Sequence, residues 1–234
     1  MKKMSHFFST PQGKFIASIA AIIGLLFGYY FYAMSTGQVT ETPTEVVISK
    51  TDHVRGAVDG TVTLVEFGDF QCPACGVYEP IVRQVLADNK KVLKFSFRQF
   101  PLFQIHQNAL LAAKATEAAA LQGKFWEMHD MLYDKQEEWS GALNAREFFV
   151  TYANILDMDS KKFLVDIESK TVNDKILAEV KEGEHLDVQG TPTFFLNGKK
   201  IDNPKDLASF NALIKEAAAA KPVTKPAVKA TVTK

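Results

Sequence analysis

The stretch TVTLVEFGDFQCPACGVYEP, residues 61–80, decides the fold. Residues 61–67 are rich in β-branched and apolar side chains and read as a strand. Cys72-Pro73-Ala74-Cys75 follows within a few residues. From there Val77, Ile81, Val82, Val85 and Leu86 recur at helical spacing, which predicts a helix over residues 73–88. The thiol pair therefore opens a helix that leaves a strand. That places Cys72 at the N-cap and Pro73 at the first helical position, where its missing N–H costs nothing. The unpaired N–H groups and the positive end of the helix dipole then favour a thiolate at Cys72. Cys75 lies one turn further in and is expected to be the less exposed sulfur.

These two are the only cysteines of the chain. The pair is suited to thiol–disulfide exchange, in which Cys72 attacks or is attacked and Cys75 resolves the mixed disulfide. The competing readings are a structural staple and half of a zinc site. Zinc needs two further good ligands, and the sequence has no second Cys-x-x-Cys or Cys-x-x-His. His53, His106, His129 and His185 are scattered and read as surface or packing residues, so no metal is expected. A redox pair also needs no organic cofactor.

Two further positions belong to this chemistry. Period-2 alternation puts Glu66 on the same strand face as Val62 and Leu64, so it points into an apolar layer. A carboxyl buried there has a raised pKa and can pass a proton near neutral pH, as deprotonating a buried resolving thiol requires. The alternative is a strand-end Glu that reaches solvent or a lysine. The second position is Gly190-Thr191-Pro192-Thr193-Phe194-Phe195, where proline precedes a strand, as its lack of an N–H allows. A cis Thr191–Pro192 bond would mark a tight functional turn, whereas trans is the ordinary state.

Working outward, residues 92–98 (VLKFSFR) alternate as a second strand, and residues 46–48 suggest a short one. From about 106 to 185 the pattern is helical throughout. Strand character returns at residues 193–196, Asn197-Gly198 signals a tight hairpin into residues 199–201, and a last helix runs from about 204 to 219. Strand, helix, strand, helical block, hairpin and helix make an α/β core carrying an all-helical insertion.

The N-terminal side sets the compartment. Residues 15–34, FIASIAAIIGLLFGYYFYAM, carry no charge. A helix of that length spans roughly 30 Å, the hydrocarbon thickness of a bilayer. Lys2, Lys3 and Lys14 precede it and Glu41 and Glu45 follow, which puts residues 1–14 in the cytoplasm and the rest outside. A cleaved signal peptide ending near Ala33-Met34-Ser35 competes, but the apolar run exceeds the ~7–15 residues of a signal core. A buried core helix would show a polar stripe, which this segment lacks. Gly24 and Gly28 form a weak GxxxG helix-pairing signal. Residues 35–52 read as a linker. Residues 221–234, KPVTKPAVKATVTK, read as a disordered basic tail, with attraction to an anionic surface as the sharper alternative. The formal net charge of zero excludes a global basic field for nucleic acid.

Residues 61–80 resemble the active-site strand and helix of the thioredoxin superfamily, and specifically those of the DsbA-like exported thiol–disulfide oxidoreductases. Phe100-Pro101-Leu102, the Ala-rich helix, residues 123–129 (GKFWEMH) and residues 190–194 (GTPTF) recur in that family in this order, so the resemblance covers about residues 53–220. It implies a thioredoxin fold with a helical lid over about 106–185. It implies that Cys72 is the nucleophile, Cys75 the resolving thiol and Glu66 a buried acid. It also implies that Pro192 is cis and packs against the disulfide, while Thr191 offers backbone bonds to an extended substrate. Pro80 matches the proline that kinks the active-site helix. Pro73 and Ala74 are the redox-tuning positions. The strongest oxidants of the family carry His where this chain has Ala74, so a milder oxidant is expected.

The resulting expectation is a membrane-anchored, extracytoplasmic oxidoreductase that introduces disulfides into exported proteins. Its partners would be client thiols, a membrane redox partner that resets the pair, and the bilayer around residues 15–34. The rival within redox chemistry is an isomerase or reductase kept reduced by a membrane thiol donor. Readings from other classes are a peptide-binding chaperone with a non-essential CxxC and a metallochaperone using both thiols.

Overall fold

A computed structural model describes residues 11–35 and 45–220. Most of the expected cytoplasmic segment, residues 36–44 of the expected linker and the basic tail lie outside these residues. The chain divides into two units, Met1–Glu41 and Thr42–Lys234. In the first, helix α1 (Pro11–Ser35) covers the uncharged stretch, and Phe15, Ile22, Leu25 and Phe27 are exposed on it. Among the described residues no helix is long and apolar enough to cross a membrane.

The second unit is built on a sheet of β1 (His53–Gly56), β2 (Val62–Gly68), β3 (Leu93–Gln99), β4 (Thr193–Leu196) and β5 (Lys199–Ile201), in the order β1-β3-β2-β4-β5. β2 and β3 are parallel, joined by the crossover helix α2 (Pro73–Asp88), and the other pairings are antiparallel. The alternation expected for β2 governs its packing. Val62 and Leu64 lie in one core with Cys75, Val82 and Val85 of α2 and with Phe210 and Ile214 of the last helix, α9 (Leu207–Ala219). Val65 and Phe67 face the opposite core, with Phe100, Val188 and Phe195. Asn197 and Gly198 take φ of 47° and 84°, the left-handed pair of a tight hairpin. Thr63 donates its N–H to the Asn197 side chain at 2.9 Å and accepts the Asn197 N–H at 2.8 Å, which ties the hairpin to β2.

Between β3 and β4 runs the helical block: α3 (Ala109–Ala120), α4 (Phe125–Asp134), α5 (Gln136–Trp139), α6 (Ala145–Ile155), α7 (Ser160–Ile167) and α8 (Lys170–His185). α3 sits at its centre, touching α4, α6, α7 and α8. Its buried Ala112, Ala115, Ala118 and Ala119 present little bulk, which lets the surrounding helices approach closely.

Two segments differ from the sequence reading. Residues 46–48 are not a strand: only the Val46 N–H reaches the hairpin, bonding the Gly198 carbonyl at 2.9 Å, so no ladder forms. Instead Val46 is buried in the core of Val65 and Phe195. Conversely, His53–Gly56 does pair, as a short antiparallel edge strand on β3. Residues 45–52 of the expected linker thus lie on the domain, and Arg98 holds them there. This fully buried guanidinium donates to Asp52 at 2.8 Å, to Glu182 of α8 at 2.6 Å and to the Val47 carbonyl at 2.8 Å. Removing one partner of a buried pair leaves the other charge uncompensated. Arg98→Met is therefore expected to lower stability by about 3 kcal/mol in guanidinium denaturation, since Asp52 stays buried. A loss below about 1 kcal/mol, the size of an ordinary surface pair, would show that the contact is not holding the segment.

Candidate active site

The site forms where β2 ends and α2 begins. Cys72 is the N-cap residue, with extended φ and ψ of −68° and 122°, and Pro73 occupies the first helical position. Asp69 shapes the turn between them. Its buried carboxylate accepts the N–H of Gln71 at 2.8 Å and that of Leu102 at 3.0 Å, and it bonds the His106 ring nitrogen at 2.6 Å. Its carbonyl accepts the Cys72 N–H at 3.0 Å. One side chain thus fixes both the CxxC turn and the loop after β3. Gln71 and Asn108 continue the connection into the helical block. The Gln71 amide donates to the Ser140 carbonyl at 2.7 Å and accepts the Asn108 N–H at 2.6 Å.

The two sulfurs are free thiols with different surroundings. Cys75 is wholly buried, whereas Cys72 keeps a sliver of exposure. The Cys72 thiol donates to the Thr191 carbonyl at 3.3 Å. The Thr191–Pro192 bond is cis, Pro192 is buried, and its carbonyl accepts the Asn203 amide at 2.9 Å. The structure therefore brings Cys72, Cys75, Thr191 and Pro192 together, with Pro73 and Ala74 exposed on the first turn. Glu66 is buried on the Val62–Leu64 face. Gly68 leaves the room this needs: a Cβ there would stand 2.3 Å from the Phe97 ring and 3.2 Å from Glu66 Oε1.

These surroundings separate the acidities. A hydrogen bond from the Cys75 thiol is the largest influence lowering the Cys72 pKa to about 5, against the opposing effect of burial. The Thr191 hydroxyl and the backbone N–H groups of Cys75 and Ala74 add to the lowering. Burial pushes Cys75 well above the ordinary thiol range, reinforced by its bond to Cys72 and the Glu66 charge. Burial likewise raises Glu66 far above the usual carboxylate value, with the Glu79 and Cys72 charges contributing. The site thus has one acidic, reachable sulfur and one reluctant, hidden sulfur, with a protonatable carboxyl coupled to both.

Tyr133 was not singled out in the sequence. Its hydroxyl is buried with no hydrogen-bond partner among the described residues, and its pKa is raised by burial and then by the Cys75 and Glu66 charges. It lines a cavity of about 460 Å³ beside the first turn of α2, with Pro73, Gly76 and Val77. Asp69 was missed as well, although an Asp just before a helix is a local turn signal. The four histidines among the described residues hold packing or surface positions. His129 is buried against Phe70, Phe97 and Tyr133, His53 stacks on Phe125, His106 bonds Asp69, and His185 is exposed.

Among the described residues, Glu79, His129 and Asp130 bring ligand-type atoms within 4.8 Å of one another. Two guanidiniums already serve these carboxylates: Arg83 lies 2.6 Å from Glu79, and Arg55 lies 2.8 Å from Asp130. A dication would have to displace them, so the cluster does not fit a metal.

A sequence model of the family described as Thioredoxin matches residues 48–216. Among curated relatives, the Na(+)/H(+) antiporter NhaA 3 of Salinispora tropica is 40% identical over 166 residues, covering 71% of this chain and 24% of that protein. NhaA 1 of Mycolicibacterium vanbaalenii is 34% identical over 199 residues, covering 81% of this chain and 31% of that protein. The chain therefore spans only about a quarter to a third of the length of these relatives. Among solved structures, oxidised BdbD from Bacillus subtilis superposes with a TM-score of 0.63 at 25% identity, covering 72% of this chain and 94% of that one. The thiol-disulfide exchange protein alpha-DsbA2 from Wolbachia pipientis shares the fold, with a TM-score of 0.63 at 21% identity, covering 72% and 88%.

Cysteine reactivity follows the thiolate. In the reduced protein, alkylation at Cys72 is expected to rise through a midpoint near pH 5 and to be flat by neutrality, while Cys75 stays unmodified. Cys75→Ala removes the largest stabiliser of the thiolate, so the midpoint should move up. A wild-type profile that climbs only toward pH 9 would contradict the assigned asymmetry.

Proposed function

The chain belongs to the thioredoxin family, and on that footing we propose that it is an extracytoplasmic thiol–disulfide oxidoreductase of the DsbA type that introduces disulfides into exported proteins. The observation that carries this reading is the contrast between the acidic, reachable Cys72 and the buried Cys75 behind it.

In the oxidised enzyme a client thiolate attacks Cys72 Sγ. The Cys72–Cys75 bond breaks, and Cys75 leaves as a thiolate and takes up a proton. A second client thiolate then attacks the client sulfur of the mixed disulfide and releases Cys72. The client loses two electrons and the pair gains them. A low Cys72 pKa makes that thiolate a good leaving group and stabilises the reduced form, which pushes the couple toward oxidation of clients. The exposed Ala74 side chain has no polar group to add a donor to those of the backbone, in keeping with an oxidant milder than the strongest of its kind. Glu66 exchanges the proton of Cys75, and the Thr191–Pro192 turn positions an extended client beside Cys72.

We further propose that the N-terminal segment, residues 15–34, attaches the domain to a membrane on its outer side. The support is the uncharged run of residues 15–34 and the charge asymmetry around it. The oxidised pair is restored by a quinone-linked membrane oxidase.

The decisive experiment combines trapping with a potential. Cys75→Ala is expected to accumulate mixed disulfides through Cys72 with exported, cysteine-containing proteins, and the wild-type pair should equilibrate well above thioredoxin's potential of about −270 mV. A potential at thioredoxin's value sinks the oxidase direction and leaves the reductase. Full cellular function in Cys72→Ser removes redox chemistry and leaves the chaperone. For Glu66, the Gln substitution keeps the shape and deletes the ionisable group. Release of client from the mixed disulfide by Cys75 is expected to slow by about 10²-fold near neutral pH, the size of a general acid–base contribution. Unchanged single-turnover kinetics would assign Glu66 to packing alone.

A further inference from the structure

The helical block enters the CxxC turn through one side chain. Gln136, the first residue of α5, has its Nε2 2.7 Å from the Phe70 carbonyl oxygen and 2.9 Å from the Cys72 carbonyl oxygen. Two acceptors on one end of the amide identify that end as the nitrogen. The Cys72 carbonyl also accepts the Gly76 N–H at 3.2 Å, so both of its lone pairs are occupied. The other end of the amide rests on Gly76, where a Cβ would stand 2.4 Å from Gln136 Oε1. The glycine after the CxxC motif is thus the residue that makes room for the clamp.

We propose that Gln136 is a positioning residue that holds the start of α2 in the geometry favouring the Cys72 thiolate, and so helps set the oxidising strength of the pair from within the helical block. The physical reason has two parts. The Phe70 and Cys72 carbonyls are negative dipole ends in the turn that carries the sulfur, and the Gln136 amide donates to both. The same bonds join the turn before the helix to its first turn, which keeps the Cys75 and Ala74 N–H groups directed at Cys72. Without the amide the turn loosens and the thiolate loses donors.

The inference rests on the reading of Cys72 as the reactive thiol, and two variants approach it from opposite sides. Gln136→Met keeps the length and deletes the donor. Gly76→Ala leaves Gln136 in place but crowds its amide out of the turn, while Ala is itself the better helix former. Each is read by thiolate ultraviolet absorbance against pH and by equilibrium with glutathione. Both variants are expected to weaken Cys72 acidity and the oxidising equilibrium by about tenfold, the latter equivalent to about 30 mV. The double variant should do no more than either alone, since both remove one interaction. A merely structural role for Gln136 predicts lower melting temperatures with an unmoved thiolate midpoint. If Gln136→Met does not fold, Gly76→Ala decides, because a wild-type midpoint in that variant overturns the proposal. So do additive effects in the double variant. A wild-type protein that fails to exchange with glutathione would refute the functional reading instead, whereas active wild type with unaffected variants refutes only the role of Gln136.

Discussion

The site depends on the placement of two sulfurs one helical turn apart, on either side of the boundary between solvent and core. Proline at the first helical position and an extended N-cap residue hold Cys72 at the edge, and the turn of helix that follows carries Cys75 into the layer of Val82, Val85 and Leu64. Burial alone would raise both thiols. The hydrogen bond from Cys75 to Cys72 turns that shared cost into a difference, lowering one pKa while raising the other. Glu66 joins because the strand's period-2 alternation delivers it to the same layer, and the Asp69 carboxylate ties the turn between strand and helix to the loop after β3.

Much of this was legible in the sequence because it is local. A strand, a Cys-Pro-x-Cys N-terminus and a helical repeat are neighbours in the chain, so residues 61–80 placed both thiols and the inward face of Glu66. The Asn197-Gly198 hairpin was equally local. What escaped were contacts between distant segments. His106 meets Asp69 across 37 positions, and Gln136 reaches the Cys72 carbonyl across 64. Neither leaves a periodic trace. β1 was missed because His53-Val54-Arg55-Gly56 pairs on one side only and needs no apolar alternation to do so. Residues 46–48 misled in the other direction, since three β-branched residues can bury one member and still bond the sheet at a single point.

The helical block is more than a cover. Gln71, Asn108 and Gln136 knit it to the CxxC turn through amides, which have fixed donors and acceptors and carry no charge. Such contacts position the thiolate without adding a titrating group beside it. The charged side chains nearby, Glu79 and Arg83 of α2, Asp130 of α4 and Arg55 of β1, are instead paired with one another.

Arg98 has a mechanical consequence. Any pull transmitted through the chain from its N-terminal side meets the domain first at Val46, hydrogen-bonded to the hairpin turn, and then at Asp52, ion-paired to a guanidinium rooted in β3 and braced by α8. Two attachments on different elements share that load before it reaches β1. The CxxC turn lies beyond them along the chain, held by separate bonds. Tension arriving from that side would therefore be spent on a segment that carries no chemistry, and the spacing of the two sulfurs would be insulated from it.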